Sequence, residues 1–106
     1  MVQVDKVNFE EEVLQAKGPV LVDFWSTKCE PCMALLPDVE ALEAKYGDQI
    51  KFCKLNVLEN RRLAISQKVL GLPTICIYKD GEKVAELTKD DATAANIEAM
   101  IKEQIQ

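Results

Sequence analysis

Between Val20 and Tyr46 the chain passes from one structural period to another, and two cysteines stand at the join. Val20-Leu21-Val22-Asp23-Phe24-Trp25 is a nearly continuous apolar run of strand length, the pattern of a strand covered on both faces as in parallel sheets. From Pro31 to Tyr46 apolar residues recur at Leu35, Leu36, Val39, Leu42 and Tyr46, a helical stripe stopped by Gly47-Asp48. Pro37 lies inside that stripe and should kink the helix, because it lacks a backbone donor and clashes with the carbonyl four residues back. Cys29-Glu30-Pro31-Cys32 therefore opens a helix directly after a buried strand. A cysteine pair in a first helical turn has a chemical use: the unpaired N–H groups and the positive end of the macrodipole stabilise a thiolate, which is both the nucleophile and the metal ligand.

The rest of the chain alternates in the same way. Asn8 is placed to cap a helix over Phe9 to Ala16, where Glu10, Glu11 and Glu12 suit the positive end of the dipole, and Gly18-Pro19 ends it. Ile50 to Val57 reads as a second buried strand and Glu59 to Leu70 as a helix presenting Leu63, Ala64 and Val69, broken by Gly71-Leu72-Pro73. Thr74 to Tyr78 is β-branched and aromatic, Asp80-Gly81 is a two-residue hairpin signal, and Lys83 to Thr88 is the return strand. Asp91 or Thr93 can cap a last helix with Ile97, Met100, Ile101 and Ile105 on one face. With no repeat, linker or low-complexity tract, the 106 residues are expected to form one domain of the α/β class, a sheet with helices on both faces.

Charge and residue usage narrow the chemistry. The net charge of −5 argues against nucleic acid or an anionic membrane as partner and suits a soluble protein. No segment approaches the roughly 20 apolar residues of a membrane span, and Met1 to Asp5 shows no leader pattern, so a cytoplasmic location is expected. In a reducing compartment four cysteines are not a disulfide framework, and the one close pair points to catalysis or metal binding. The absence of histidine removes histidine-assisted nucleophiles, histidine-bearing zinc sites and imidazole bases together. Cys53 and Cys76 raise the thiol count to the four that a zinc or iron–sulfur site needs, yet they are single residues on different expected strands and read as small core hydrophobes. Glu10 to Glu12 and Asp90-Asp91 read as helix starts, not metal ligands. Asp23 is the anomaly of its run, since a carboxylate is costly to bury unpaired.

Val22-Asp23-Phe24-Trp25, Cys29-x-Pro31-Cys32, Pro37, Lys54-Leu55-Asn56, Gly71-Leu72-Pro73-Thr74 and Asp80-Gly81, in this order and spacing, resemble the thioredoxin family over the whole chain. The Cys-Glu-Pro-Cys form is similar to that of thioredoxins from amino-acid-fermenting anaerobic bacteria. The resemblance implies a three-layer sandwich, with a central mixed five-stranded sheet flanked by four helices, and a protein-disulfide reductase. It implies that Cys29 is the exposed nucleophile, Cys32 the resolving thiol, Asp23 the group beneath the dithiol that moves the Cys32 proton, and Lys54 a neighbour that tunes Asp23. It also implies a cis proline at Pro73 and a substrate-contacting surface formed by Trp25, Leu72 and Pro73 with Lys28, Glu30 and Pro31. No cofactor beyond the Cys29/Cys32 dithiol and no metal is implied. The implied partners are a thioredoxin reductase-type electron donor and disulfide-containing target proteins, with a monomer as the expected state.

Three departures from the family pattern bear on function. Lys28 replaces a tryptophan and Glu30 a glycine beside the nucleophile, and their opposite charges push the Cys29 thiol in opposite directions. No glycine follows Gly81, where the family's substrate-binding surface has one. Two other readings remain open from the residues: a noncatalytic thioredoxin-like or metal-holding module, and a thiol oxidant or isomerase, because the residues between the cysteines shift the redox potential.

Overall fold

Apolar runs too long for water to tolerate find each other in one mixed sheet. The computed structural model describes residues 1–106, with strands β1 (Val2–Val4), β2 (Val20–Trp25), β3 (Lys51–Asn56), β4 (Thr74–Lys79) and β5 (Glu82–Thr88). Their order is β1-β3-β2-β4-β5; β3 pairs in parallel with β1 and β2, while β4 runs antiparallel to both β2 and β5. β2 thus sits at the centre with both edges paired, and all of its residues but Trp25 are buried, which accounts for its unbroken apolar character.

Four helices cover the two faces: α1 (Glu10–Leu14), α2 (Glu30–Tyr46), α3 (Arg61–Ser66) and α4 (Ala94–Ile105). On one face Leu21, Phe52, Ile75 and Ile77 pack with Leu35, Val39 and Leu42 of α2 and Ile97 and Ile101 of α4. On the other, Val22, Phe24, Leu55 and Tyr78 pack with Val13 of α1, Phe9 just before it, and Ala64 of α3. The three-layer α/β sandwich with five strands and four helices is therefore the observed fold. Tyr46 Oη and Lys45 Nζ both donate to Glu98 Oε2 at 2.7 Å, tying the end of α2 to α4.

Local chemistry sets where the elements begin and end, in places differently from the sequence reading. β1 is a three-residue edge strand with one buried residue, Val4, too short to show an alternation of its own. Asn8 does not cap α1. No side chain does; Asp5 and Asn8 instead close the turn ahead of it, Asp5 Oδ1 accepting from the N–H groups of Val7 (2.8 Å) and Asn8 (3.1 Å) and Asn8 Oδ1 accepting from the Asp5 N–H at 2.7 Å. That reciprocal pair has the bonding pattern of a capping box, used here in the turn before the helix. The expected helix from Glu59 to Leu70 is divided: Val57–Glu59 forms a single tight turn, and buried Asn60 interrupts by bonding the Asn56 carbonyl (2.9 Å) and the Lys6 N–H (2.9 Å). α2 runs from Glu30 to Tyr46 through Pro37, which lies on its exposed side. The Asp80-Gly81 hairpin has positive φ at both residues, 54° and 82°, the geometry that matches strand twist. Of the two candidate caps for α4 it is Thr93 that acts, its Oγ1 accepting from the Asn96 N–H at 3.2 Å.

Candidate active site

A strand that ends at Trp25 and a helix that starts at Glu30 leave four residues to turn the chain, and the two cysteines finish that turn. The Cys29 N–H donates to the Ser26 carbonyl at 3.1 Å, and Ser26 Oγ accepts from the Lys28 N–H at 3.0 Å. Cys29 is the N-cap of α2, with its Sγ accepting from the Cys32 N–H at 3.2 Å. The two sulfurs are bonded, with Cα atoms 5.2 Å apart. Pro31, in the first helical turn, has no N–H to leave unpaired there. Cys29 is half-buried and Cys32 is 2% exposed, so Cys29 is the more accessible residue of the pair. On reduction, a thiolate at this cap would lie at the positive end of a 17-residue helix.

Alternation along β2 places Asp23 on the face of Leu21, the face covered by α2 and α4. Asp23 is 1% exposed and neither carboxylate oxygen has a hydrogen-bond partner. Burial pushes its pKa up to about 7, and Lys54, its register partner on β3, pulls the other way. A carboxyl with that pKa can take or give a proton near neutrality. The Lys54 ammonium lies 5.6 Å from the centroid of the Trp25 ring, a cation–π contact at the end of β2. Trp25 is half-buried, and its indole N–H is buried without a partner.

The first turns of α2 face the loop before β4 across a groove of about 350 Å³. Pro31, Leu35 and Asp38 form one wall; Pro73, Lys89 and Thr93 form the other. The Leu72–Pro73 peptide is cis, Pro73 is buried, and its carbonyl accepts from the Lys89 N–H at 2.7 Å. Of the residues expected at a substrate surface, Pro31 and Pro73 are thus brought together. Lys28 and Glu30 are exposed beside Cys29, and Leu72 is half-buried, but none of the three lines the groove, nor does Trp25. Asp38 was not singled out from the sequence, although its helical spacing from Pro31 and Leu35 puts it on their side of α2. Nor was Lys89, which takes φ 55°, the left-handed backbone that glycine normally occupies; the missing glycine after Gly81 was the one signal for that stretch.

Cys53 and Cys76 flank Val22 in register on the opposite face of the sheet. Each is wholly buried, and burial pushes their thiols up to about 11 and about 12. The sheet separates them from α2, so the four sulfurs do not converge, and no cluster of three or more potential ligands is placed to hold a metal. Asp90 and Asp91 lie in a single turn before α4, and Glu10 to Glu12 in the first turn of α1.

Comparison with known proteins agrees with this geometry. The thioredoxin family model matches residues 1–103. The chain is 63% identical over 105 residues to a thioredoxin of Acetoanaerobium sticklandii, covering 99% of this chain and 100% of that one. It is 58% identical over 105 residues to a thioredoxin of Peptoclostridium acidaminophilum, covering 99% and 96%. A Pseudomonas aeruginosa thioredoxin is 39% identical over 98 residues, covering 89% and 91%. Agreement along the full length, on a chain whose cysteine pair caps a helix at the end of a central strand, decides its kinship: the chain belongs to the thioredoxin family and is a thiol–disulfide oxidoreductase.

Proposed function

We propose that the chain acts as one domain, residues 1–106, reducing protein disulfides through Cys29 as nucleophile and Cys32 as resolving thiol. The observation that carries the assignment is the difference in access: Cys29 caps the helix half-exposed while Cys32 is 2% exposed. The Cys29 thiolate attacks one sulfur of the target disulfide; a Cys29–target bond forms, the target bond breaks, and one target sulfur leaves as thiolate. Cys32 gives its proton to the Asp23 carboxylate and attacks Cys29 Sγ, which closes the Cys29–Cys32 disulfide and releases the second target thiolate. Two electrons pass to the target, and a reductase-type donor returns two to the chain. Lys54 tunes Asp23 by favouring its ionised form.

An extended target segment lies along the groove beside Pro73 and pairs with the backbone before it, with Trp25 and Leu72 supplying apolar contact and Lys28, Glu30 and Pro31 flanking the reacting sulfur. The dithiol is itself the redox group, and the reading invokes no further cofactor or metal. The partners are disulfide-bearing proteins and the electron donor, and the working form is a monomer in the cytoplasm. No helix is long and apolar enough to cross a membrane.

Capture of targets tests the division of labour. Cys32→Ser should attack and fail to release, accumulating mixed disulfides visible on non-reducing gels and by mass spectrometry. Cys29→Ser should capture none. Equal capture by the two variants would overturn the assignment.

A further inference from the structure

Three residues other than glycine hold a left-handed backbone: Lys68 at φ 62°, Asp80 at 54° and Lys89 at 55°. Lys68 follows the end of α3 and Asp80 opens the hairpin, duties for which this conformation is ordinarily used. Lys89 does neither. It leaves β5 and starts the single turn Lys89–Asp91, and its N–H is fastened to the Pro73 carbonyl.

The side chain that this backbone aims has a seat made for it. A methyl group added at Gly71 would stand 2.3 Å from Lys89 Cε and 3.3 Å from Nζ, so the lysine stem lies across a glycine where any side chain would displace it. Lys89 borders the groove shared by Pro31 and Pro73 on one side and a smaller hollow of about 220 Å³ on the other. In the groove it is the one cation, facing one anion, Asp38, on the α2 wall. It belongs to none of the four ion pairs of the structure. An exposed lysine without an ion pair therefore stands between the groove and the hollow, its stem across Gly71, in a chain of net charge −5.

We propose that Lys89 is a specificity-determining residue of the disulfide-reducing groove, pairing with a carboxylate of the target segment that flanks the attacked disulfide, so that acidic segments are reduced in preference to basic ones. The inference rests on the disulfide-reductase reading. Because Lys89 and Pro73 are hydrogen-bonded, a target strand lying along Pro73 passes within a side chain's reach of the ammonium. Asp38 on the opposite wall fixes the polarity, with acid toward Lys89 and neutral or basic side chains toward α2. An exposed pair of this kind discriminates by small factors and is screened by salt.

The test uses the pre-reduced full chain and extended peptides whose single cysteine is capped with mercaptoethanol, with Glu, Gln or Lys at the positions flanking it. Rates are expressed relative to reduction of neutral bis(2-hydroxyethyl) disulfide by the same variant. The parent should reduce the Glu peptide about three- to tenfold faster than the Lys peptide at low ionic strength, with the difference collapsing in 1 M salt. Lys89→Met should abolish the preference, Lys89→Glu should reverse it, and Lys89→Arg should keep it. Gly71→Ala, which leaves the charge and shifts its seat, should weaken it. A Glu-to-Lys ratio that is the same in parent and Lys89→Met overturns the proposal. A parent that fails to reduce even the neutral disulfide overturns the reductase reading instead.

Discussion

Asp23 is buried with neither carboxylate oxygen hydrogen-bonded to the protein, and at the scale of one residue that makes its ionised form costly. Its pKa rises from 3.8 to about 7, so the folded state holds the proton after the unfolded chain has released it. Stability is accordingly full below about pH 3.8, falls as pH rises toward 7, and stays lowered above that by on the order of 4 kcal/mol, at about 1.4 kcal/mol per pH unit. Asp23→Asn keeps the shape and cannot ionise. Relative to the parent it should gain a few kcal/mol between pH 4 and pH 8 and, on the proposed mechanism in which Asp23 accepts the Cys32 proton, should reduce disulfides more slowly. Urea titrations at pH 4, 6 and 8 with single-turnover reduction check both halves. A variant whose advantage does not grow with pH would show that Asp23 is not held protonated by burial.

Element ends are where this chain follows or resists backbone preference. After α3, Lys68 takes φ 62° while its N–H bonds the Ile65 carbonyl (2.9 Å) and the Val69 N–H bonds that of Ala64 (2.9 Å), a Schellman closure usually given to glycine. Lys68→Gly should therefore be stabilising by about 0.5 kcal/mol, the relief of left-handed strain less the added freedom of the unfolded chain. Gly81→Ala should have the opposite sign. Gly81 has φ 82°, and a methyl there would meet the Leu14 carbonyl oxygen at 3.1 Å, so a loss of about 1 to 2 kcal/mol is expected. Denaturant midpoints of the two variants at one pH decide both signs. Gly81 was legible because its turn is a two-residue matter between a β-branched run and its return strand; Lys68 was not, because nothing in its side chain announces a helix end.

At the scale of the whole molecule the sheet divides the thiols by function. Cys29 and Cys32 belong to the α2 side; Cys53 and Cys76 are interior to the other side, 0% exposed and with their ionisation suppressed by burial. In the reduced chain at pH 7.5 an alkylating reagent should modify Cys29 rapidly and reach Cys53 and Cys76 only after unfolding, as thiol counting by mass shows. Cys53→Ala and Cys76→Ala should each cost about 1 to 3 kcal/mol through the cavity left behind, and the folded fraction should keep its reductase activity. Loss of activity without loss of fold in either variant would mean that the two faces are chemically coupled.

What the sequence by itself determined is what one segment can decide alone. The apolar run of β2, the stripe of α2, the Asp80-Gly81 turn and the Ile97 to Ile105 face each follow from neighbours within a few residues, and so does the placing of two cysteines at a helix start. The resemblance of the dithiol and Pro73 strings to a known family supplied the rest of that reading. Only the tertiary structure decided that Val2–Val4 is a strand, because its three residues gain a ladder only from β3, some 50 positions away. It alone set Asp23 and Lys54 side by side, put Cys53 and Cys76 across the sheet from the dithiol, and turned Lys89 left-handed over Gly71. In each of these cases the deciding hydrogen bond or packing contact comes from a residue distant in sequence, and such contacts override local preference because they exist only once the chain has closed upon itself.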